Sequence, residues 1–423
     1  MTERRKSAAA DRHRPAATDR RRPMSREEAL ARQERQQRFR EKEQESRELA
    51  KGPIDLPFLL LVILLTAIGL VMLLSASFPS AYYETKDNDP TFYFMRQGVF
   101  AIMGIAAMLF IGKINYQRFR GAAKPLLYLA VILLLLVVIP GNPIAETRNN
   151  ATRWLGIPGT SLTFQPSEIA KMAVVLYFSD SISKKKDKMQ SFRYGIAPYL
   201  VILGALAVLM LLEPHLSGTI LILGAGAVLM LVGGINWSWV IAALAGAGGV
   251  ATLMLTGIIS YGQSRLAMWH NPWLDARGDG YQLSQSLLSI GSGGLLGVGL
   301  GKSRQKFLYL PEEHNDFIFA IICEELGLIG ATIIMLLFAA LILRGYWIAL
   351  HARDRFGSLL VVGVITLIAM QTFLNIGVVT GLLPTTGISL PFFSYGGTAL
   401  SIQLAEMGIV LSVSRQMKPT KAG

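Results

Sequence analysis

Long apolar runs recur along this chain, and they limit its possible folds more than any other feature. A bilayer core about 30 Å thick needs about 20 apolar helical residues to cross it. With 52% hydrophobic and 16% charged residues, the 423-residue chain is too apolar for a soluble domain of its size. We predict an all-α integral membrane protein with ten transmembrane helices, at 57–77, 93–112, 125–140, 166–183, 195–212, 216–233, 237–257, 317–343, 357–380 and 396–414.

The charges between these helices predict the orientation, because cytoplasmic loops carry an excess of Lys and Arg. The first outer loop holds Glu84, Asp87 and Asp89 with only Lys86. Both termini are therefore expected in the cytoplasm. With the N-terminus inside, the inner segments carry Lys113, Arg118, Arg120, Lys124, Lys184, Lys185, Lys186, Lys188, Arg344, Arg353, Arg355, Arg415, Lys418 and Lys421.

Residues 1–52 differ in composition from the rest, with sixteen Lys or Arg against ten Asp or Glu. We predict a largely disordered, basic cytoplasmic region, with an exposed helix possible from Ser25 to Lys51. It is either a solvated tail or a docking arm for protein partners or anionic lipid. The membrane domain then spans 53–415, and 416–423 form a cytoplasmic tail.

A large outer loop at 258–316 joins the seventh and eighth predicted helices. It is basic, with Arg265, Arg277, Lys302, Arg304 and Lys306, although long loops escape the positive-inside rule. A basic outer loop indicates an anionic partner.

The same outer loop contains the glycine run GSGGLLGVGLG at 291–301. Its spacing fits neither GxGxxG nor the P-loop, so we reject nucleotide binding. The glycines instead predict a folded, partly re-entrant loop with close backbone approach. Leu288, Leu295 and Leu296 are expected to face the membrane.

Cysteine and histidine usage argues against several site types. Cys323 is the only cysteine, which excludes an intramolecular disulfide and a cysteine-based metal site. The five histidines lack HExxH spacing, which argues against a zinc hydrolase. We predict no metal centre, no nucleic-acid partner and no certain cofactor, with assistance by a divalent cation left open.

Polar residues at membrane depth concentrate on the predicted outer side. Isolated charges at that depth would have no hydrogen-bond or ion-pair partners, so we expect these residues to share an outward-facing pocket. Asp316 stands at the head of the eighth helix, and its neighbours include acids, bases and the buried Glu324 and Glu325. The other candidates are Arg96, Glu168, Lys171, Glu213, His215 and Ser394.

Several of these residues could instead have a purely structural role. Asn315 and Asp316 suit helix capping, and Arg96 could extend to the lipid head groups. Glu168 and Lys171, three residues apart, could form an ion pair only.

The remaining polar candidates also have structural explanations. His215 beside Pro214 fits a turn. At least one of Glu324 and Glu325 must face the bundle interior, and Glu406 has no evident partner.

The amino-acid sequence of the outer loop resembles that of a known protein family. The run YLPEEHNDFIFAIICEELGLIG, preceded by GDGYQLSQSLLSIGSGGLLGVGLGKSRQKF, closely resembles the SEDS proteins (shape, elongation, division, sporulation). Trp269, the NPWLD beginning at Asn271 and the GDGYQ beginning at Gly278 are more similar to the cell-division branch, FtsW, than to the elongation branch, RodA. The resemblance extends from about Leu56 to Arg415.

This resemblance implies an inverting peptidoglycan glycosyltransferase that polymerises lipid II at the outer face of a bacterial cytoplasmic membrane. It implies Asp316 as the essential acidic residue, and it matches Arg96, Glu168 and Lys171 to family polar positions. Many members read QPDLG where this chain reads EPHLSG, which weakens any role for His215. Lys306 and Ser394 complete the predicted substrate-binding set.

The chemistry of lipid II suits such a pocket. Its diphosphate needs cationic partners, its prenyl tail an apolar groove, and its sugar hydroxyl a general base. The implied partners are a class B penicillin-binding protein, other divisome proteins and membrane lipid. The alternatives are a lipid II flippase, an elongation-type polymerase, or a scaffold that only recruits other proteins.

Overall fold

The structure is a computed structural model that describes residues 52–85, 87–148, 151–156, 163–242, 245 and 263–417. The chain divides into two units, Met1–Glu48 and Leu49–Gly423, and every described residue belongs to the second. The predicted N-terminal region therefore lies outside the described residues, apart from Gly52.

Helices dominate the described part of the chain. Asp55 begins the first of them, because its carboxylate accepts the Phe58 backbone N–H at 3.0 Å as an N-cap. The helices are α1 Leu56–Glu84, α2 Phe92–Ile111, α3 Phe119–Val138, α4 Pro166–Lys185, α5 Ala197–Leu212, α6 Leu216–Val232, α7 Gln263–His270, α8 Tyr281–Gly293, α9 Ile318–Leu350, α10 Arg355–Val379 and α11 Gly397–Ser414.

Seven helical segments in the described residues are long and apolar enough to cross a membrane: α1, α2, α3, α5, α9, α10 and α11, with short extensions at α3 and α5. Helix α6 is apolar but has 17 residues. Most of the seventh predicted helix, 237–257, lies outside the described residues.

Helix α4 has 20 residues but is too polar to meet the same criterion. It can carry charge because it packs among α3, α6 and α10, and those neighbours shield it. Helices α10 and α11 are the most buried spans. In their most apolar stretches 72% and 67% of the residues are buried inside the protein, against 28–39% in the other five spans. These two helices form the centre of the bundle.

The loop between α3 and α4 holds a small antiparallel sheet that the sequence analysis did not predict. Its strands are β1 Ala145–Arg148, β2 Ala151–Gly156 and β3 Thr163–Phe164, with β2 in the middle. Leu155 pairs with Ala145 on one side and Phe164 on the other. Strand β2 contacts both α3 and α4.

Helix α9 is interrupted, contrary to the unbroken helix predicted from the sequence. Gly327 has φ 65° and ψ −170°, and it divides α9 into a buried first part and a longer second part. Helix α9 also begins at Ile318 and ends at Leu350, beyond the predicted 317–343.

The glycine run repairs the hydrogen bonds lost at this break. Val298 and Gly299 donate to the carbonyls of Glu324 and Glu325 at 2.9 and 3.0 Å. In return, the Leu328 backbone N–H donates to Gly294 at 2.9 Å. A Cβ on Gly297 would lie 2.2 Å from the Glu325 carbonyl oxygen, so the predicted close backbone approach is confirmed.

The two ends of the membrane unit meet. The Arg415 Nε donates to the Gly52 carbonyl at 2.8 Å, and Arg344 forms a two-point ion pair with Asp55 at 3.1 and 2.7 Å. The start of α1, the last turns of α9 and the end of α11 therefore share one face. This arrangement agrees with termini on the same side of a membrane.

Candidate active site

Asp316 lies in the loop that leads into α9. The N-cap of α9 is Phe317, without a side-chain cap, so the capping interpretation of Asn315 and Asp316 is wrong. Asn315 instead donates to Glu312 at 2.6 Å. The half-buried Asp316 carboxylate has no hydrogen-bond partner among the described residues.

The environment of Asp316 weakens its acidity. Burial, followed by the nearby charge of Glu312, raises the pKa of Asp316 to about 6, against the opposing charges of Arg153 and His314. A carboxylate with this pKa is mostly ionised at pH 7 and is a stronger base than an ordinary aspartate. These properties suit a group that accepts a proton from a hydroxyl.

Asn375 of α10 fixes the backbone of Asp316. Its Nδ2 donates to the Asp316 carbonyl at 2.7 Å and to the Ile388 carbonyl at 2.6 Å, and the side chain is 1% exposed. A Cβ on Gly387 would lie 3.1 Å from the Asp316 Oδ2. The segment between α10 and α11 thus packs directly against the carboxylate.

Ser394 fastens the same segment to the Asp316 loop. Its hydroxyl donates to the Asn315 carbonyl at 2.6 Å and accepts the Leu390 N–H at 2.7 Å. Gln97 of α2 donates to the Ser394 carbonyl at 3.1 Å and accepts the Gly396 N–H at 3.2 Å. Ser394 is therefore part of the framework, and its predicted contact with substrate stays a prediction.

An aromatic and acidic cluster adjoins Asp316. The His314 ring stacks on Tyr93 with centroids 4.7 Å apart, and its Nδ1 lies 3.4 Å from the buried Glu313 carboxylate, to which Ser80 also donates. Burial lowers the pKa of His314, but the hydrogen bond and charge of Glu313, with other acids, outweigh it and raise the pKa overall. The His314 ring is therefore protonated more readily than an ordinary imidazole.

Arg153 of β2 connects the sheet to the turn between α5 and α6. Its Nε donates to the Glu213 carbonyl at 3.3 Å, and its Nη2 donates to the Pro214 carbonyl. Its charge also lowers the pKa of Asp316, which places the guanidinium within electrostatic range of that carboxylate. Arg153 was not among the residues predicted from the sequence.

The turn itself buries two titratable side chains. Glu213 is 2% exposed, and burial raises its pKa to about 8 against the opposing charge of Arg153. Burial, with Arg153 and Lys171, lowers the pKa of His215 to about 3. Near pH 7 His215 is therefore neutral, and Glu213 is mostly protonated.

Glu168 and Lys171 form the ion pair that the sequence suggested, with 2.8 Å between Oε2 and Nζ and both residues buried. Gln165 and His215 approach within 3.4 Å beside them. Glu406 of α11 lies within electrostatic range of both members of the pair. The structure thus supplies the neighbours of Glu406 that the sequence could not.

Lys306 was predicted to bind substrate, but the structure engages it elsewhere. Its ammonium lies 3.0 Å from Glu325, with both side chains at most 4% exposed. Ser75 donates to Glu325 at 2.7 Å. Binding substrate through Lys306 would require this buried ion pair to open.

Glu324 is also fully engaged. It accepts hydrogen bonds from Ser303, Ser289 and the Arg304 backbone N–H at 2.5, 3.0 and 2.9 Å. Glu324 and Glu325 therefore hold the outer loop onto the broken helix, and that role explains two buried acids in an apolar helix.

Arg96 lies half-buried on α2 beside Gln97. Among the described residues, no three His, Cys, Asp or Glu side chains converge as metal ligands. Gln97 and Asn375 were missed by sequence reasoning, although each is a polar residue in an apolar helix, which is itself a signal. Arg153 gave no comparable signal, because its loop has neither a helical pattern nor a motif.

The fold and site define an integral membrane protein with a polar centre gathered at one end of its bundle. Residues 55–419 match the model of the FtsW/RodA/SpoVE family, described as "Cell cycle protein", and the chain belongs to that family. The resemblance found in the sequence is thereby confirmed.

Individual relatives match over nearly their whole length. The "Probable peptidoglycan glycosyltransferase FtsW" of Geobacter metallireducens is 44% identical over 371 residues, which cover 86% of this chain and 96% of the relative. The "Stage V sporulation protein E" of Bacillus subtilis is 43% identical, with coverages of 85% and 97%.

Solved structures show the same fold. A chain from the work described as "Structural coordination of polymerization and crosslinking by a peptidoglycan synthase complex" gives a TM-score of 0.71 at 26% identity, covering 86% of this chain and 98% of the other. The crystal structure of Thermus thermophilus RodA gives 0.64 at 26% identity, with coverages of 87% and 99%.

Proposed function

We propose that this chain is a peptidoglycan glycosyltransferase that polymerises lipid II at the outer face of the bacterial cytoplasmic membrane. The observation that carries the proposal is Asp316: a half-buried carboxylate with a pKa of about 6 and no hydrogen-bond partner among the described residues. The proteins named as peptidoglycan glycosyltransferases in the same family support it.

Asp316 acts as the general base. The 4-hydroxyl of the acceptor GlcNAc attacks the anomeric carbon of the donor MurNAc, and the Asp316 carboxylate takes the hydroxyl proton. Undecaprenyl pyrophosphate leaves from the opposite side, so the configuration inverts. Asn375 holds the backbone of the base in place, and Gly387 lies close beside its carboxylate.

The cations near the site stabilise the leaving diphosphate. Arg153, held by two carbonyls, and Lys171, held by Glu168, are the candidates with defined supports, and Arg96 stands on the neighbouring α2. Lys171 lies in a buried ion pair, as Lys306 does, so its contact with the diphosphate requires that pair to open. Negative charge that develops in the transition state is stabilised by such positioned donors. Neutral His215 contributes as a hydrogen-bonding group in the same turn.

We assign the protein to septal synthesis in cell division, with ten membrane helices and both termini cytoplasmic. The repeated FtsW name among its relatives supports the role. A class B penicillin-binding protein is the proposed partner, because a structural neighbour belongs to a complex that couples polymerization and crosslinking.

The test uses purified protein, with and without its partner, and lipid II supplied directly in detergent. Asp316→Asn keeps the side-chain shape but removes the base, so glycan synthesis should fall about a hundredfold or more. Asp279→Asn, at an exposed outer-loop carboxylate, is the matched control and should stay active. Near-normal synthesis by Asp316→Asn would contradict the assignment.

The same assay separates polymerase from flippase, because transport alone makes no glycan strands. A transport route could be lined by three buried carboxylates, Glu324, Glu325 and Glu406. The first two are engaged by serines, Lys306 and backbone donors, which weakens but does not remove this alternative. A wild-type preparation that makes no strands even with its partner would favour the flippase.

A further inference from the structure

A cavity of about 310 Å³ lies at the end of the bundle opposite Asp316. Helix α9 begins beside Asp316 and ends at Leu350, and the cavity forms where α6 and α9 end and α10 begins. Its lining includes Val232, Leu350, Arg353, Asp354, Arg355 and Ser358. A volume near 300 Å³ is at the lower end for small-molecule sites.

The cavity is cationic despite the presence of Asp354. That carboxylate already accepts from Tyr116, Gln117, Arg120 and the Gly357 N–H at 2.7 to 3.1 Å. Burial raises its pKa, but these hydrogen bonds outweigh it and lower the pKa overall, so Asp354 stays ionised and paired. Its charge is thus neutralised within the protein.

Two arginines and a helix N-terminus then face the same space. Arg355 donates one N–H to the Gly233 carbonyl at 2.6 Å, and a guanidinium has five N–H donors in all. Arg353 and Ser358 complete the polar lining. The first turn of α10 adds the positive end of a 25-residue helix.

The rim of the cavity is apolar. Leu350 is 83% exposed, and Val232 is 49% exposed on the end of α6. Arginines beside an exposed leucine and an exposed valine at the ends of membrane helices match a ligand with an anionic head and hydrocarbon chains. A free phosphate would use the cations but not this rim.

We propose that this cavity binds the head group of an anionic phospholipid, with its phosphate between Arg353 and Arg355 and its acyl chains along Leu350 and Val232. The site lies far from the proposed catalytic centre and is independent of its chemistry.

The experiment is native mass spectrometry of the full-length protein in detergent, titrated with a short-chain phosphatidylglycerol or phosphatidylcholine. Phosphatidylglycerol should bind at least tenfold more tightly than phosphatidylcholine. Arg353→Gln/Arg355→Gln should remove that preference. Lys113→Gln/Arg118→Gln, which removes two exposed cations from the same face outside the cavity, should retain it.

The Arg353→Gln/Arg355→Gln variant could lose binding through misfolding, because Arg355 also holds the end of α6. A second variant therefore tests the site without changing either arginine. Ser358→Glu places a carboxylate in the first turn of α10, where the helix tolerates negative charge, and should also abolish the preference. The proposal is overturned if the two double variants lose binding equally, if both lipids bind alike, or if Ser358→Glu binds normally. It is also overturned if inorganic phosphate at the lipid concentration displaces phosphatidylglycerol completely.

Discussion

Asp316 shows how a single residue acquires its properties from its neighbours. Three residues define it: Asn375 of α10 fixes its carbonyl, Gly387 lies close beside its carboxylate, and Glu312 helps to raise its pKa. The sequence placed Asp316 at a helix start, where helix capping was the structural alternative to a functional role. The absence of a side-chain cap on α9 leaves the carboxylate available for chemistry.

The pH dependence of synthesis should report this carboxylate. Asp316 works as a base only when ionised, and its pKa is about 6, so the initial rate of glycan formation should rise between pH 5 and 7 and then level off. Initial rates measured with lipid II in detergent would show this rise. Glu312→Gln removes a charge that raises the pKa of Asp316, so the rise in rate should move to lower pH. A rise that stays at the same pH in the variant would contradict Asp316 as its origin.

Helix α4 carries buried charge because its partners surround it. The Glu168–Lys171 ion pair is 2.8 Å long, and the Lys171 side chain is 4% exposed. Removing one member leaves the other charge buried and unpaired, at a cost of about 3–5 kcal/mol. Replacing both with apolar residues avoids this cost.

The double variant Glu168→Leu/Lys171→Met therefore separates a catalytic pair from a structural one. We expect it to insert, to melt near the wild-type temperature and to bind its penicillin-binding partner, yet to make no glycan. Thermal unfolding and the lipid II assay measure the two properties. Full activity would return both residues to a structural role, leaving Asp316, Arg96 and Arg153 to account for the site.

The glycine run and the broken helix α9 behave as one element, since each supplies the other's backbone hydrogen bonds. Gly297 and Gly301 have φ of +80° and +79°, but a Cβ on Gly297 would meet the Glu325 carbonyl at 2.2 Å, whereas Gly301 has nothing within 4 Å. The two positions therefore share a positive φ that disfavours a side chain, but only Gly297 lacks room for a Cβ.

Alanine at each glycine should separate these effects. Gly301→Ala should cost about 1–2 kcal/mol from its backbone conformation alone. Gly297→Ala should lower the melting temperature well beyond that, because backbone atoms must move apart at the helix break. Thermal unfolding in detergent compares them directly, and equal losses would show that the close approach contributes little.

At the scale of the whole molecule, hydrogen bonds and ion pairs group the loops by face. Arg120, Asp180, Lys184 and Asp354 join the predicted inner ends of α3, α4 and α10. Asp55, Arg344 and Arg415 join the ends of α1, α9 and α11. Both groups agree with the predicted assignment of these loops to one common side of the membrane, and the identity of that side stays a prediction.

Cysteine labelling tests that orientation. In a Cys323→Ala background, a cysteine at the exposed Lys302 should react with a membrane-impermeant thiol reagent applied to intact cells. A cysteine at the exposed Lys113 should react only after the cells are opened. Reversed labelling would overturn the topology and the outward position of Asp316.

The sequence by itself determined the membrane class, the family and most helix positions. A bilayer of fixed thickness imposes a length of apolar residues that can be read locally, and α6 and α11 start within one residue of prediction. The family motif around Asp316 could also be identified from the sequence, because its residues are contiguous in the chain.

Only the tertiary structure decided which polar groups meet. The partners of Glu325 are Lys306 and Ser75, the latter 250 positions earlier in the chain, and Arg153 reaches the α5–α6 turn from a strand of six residues. Short strands and long-range ion pairs leave no periodic signal, because their stability comes from contacts made only after the helices pack. The same cause hid the break at Gly327, which is tolerated because the glycine run satisfies the exposed backbone.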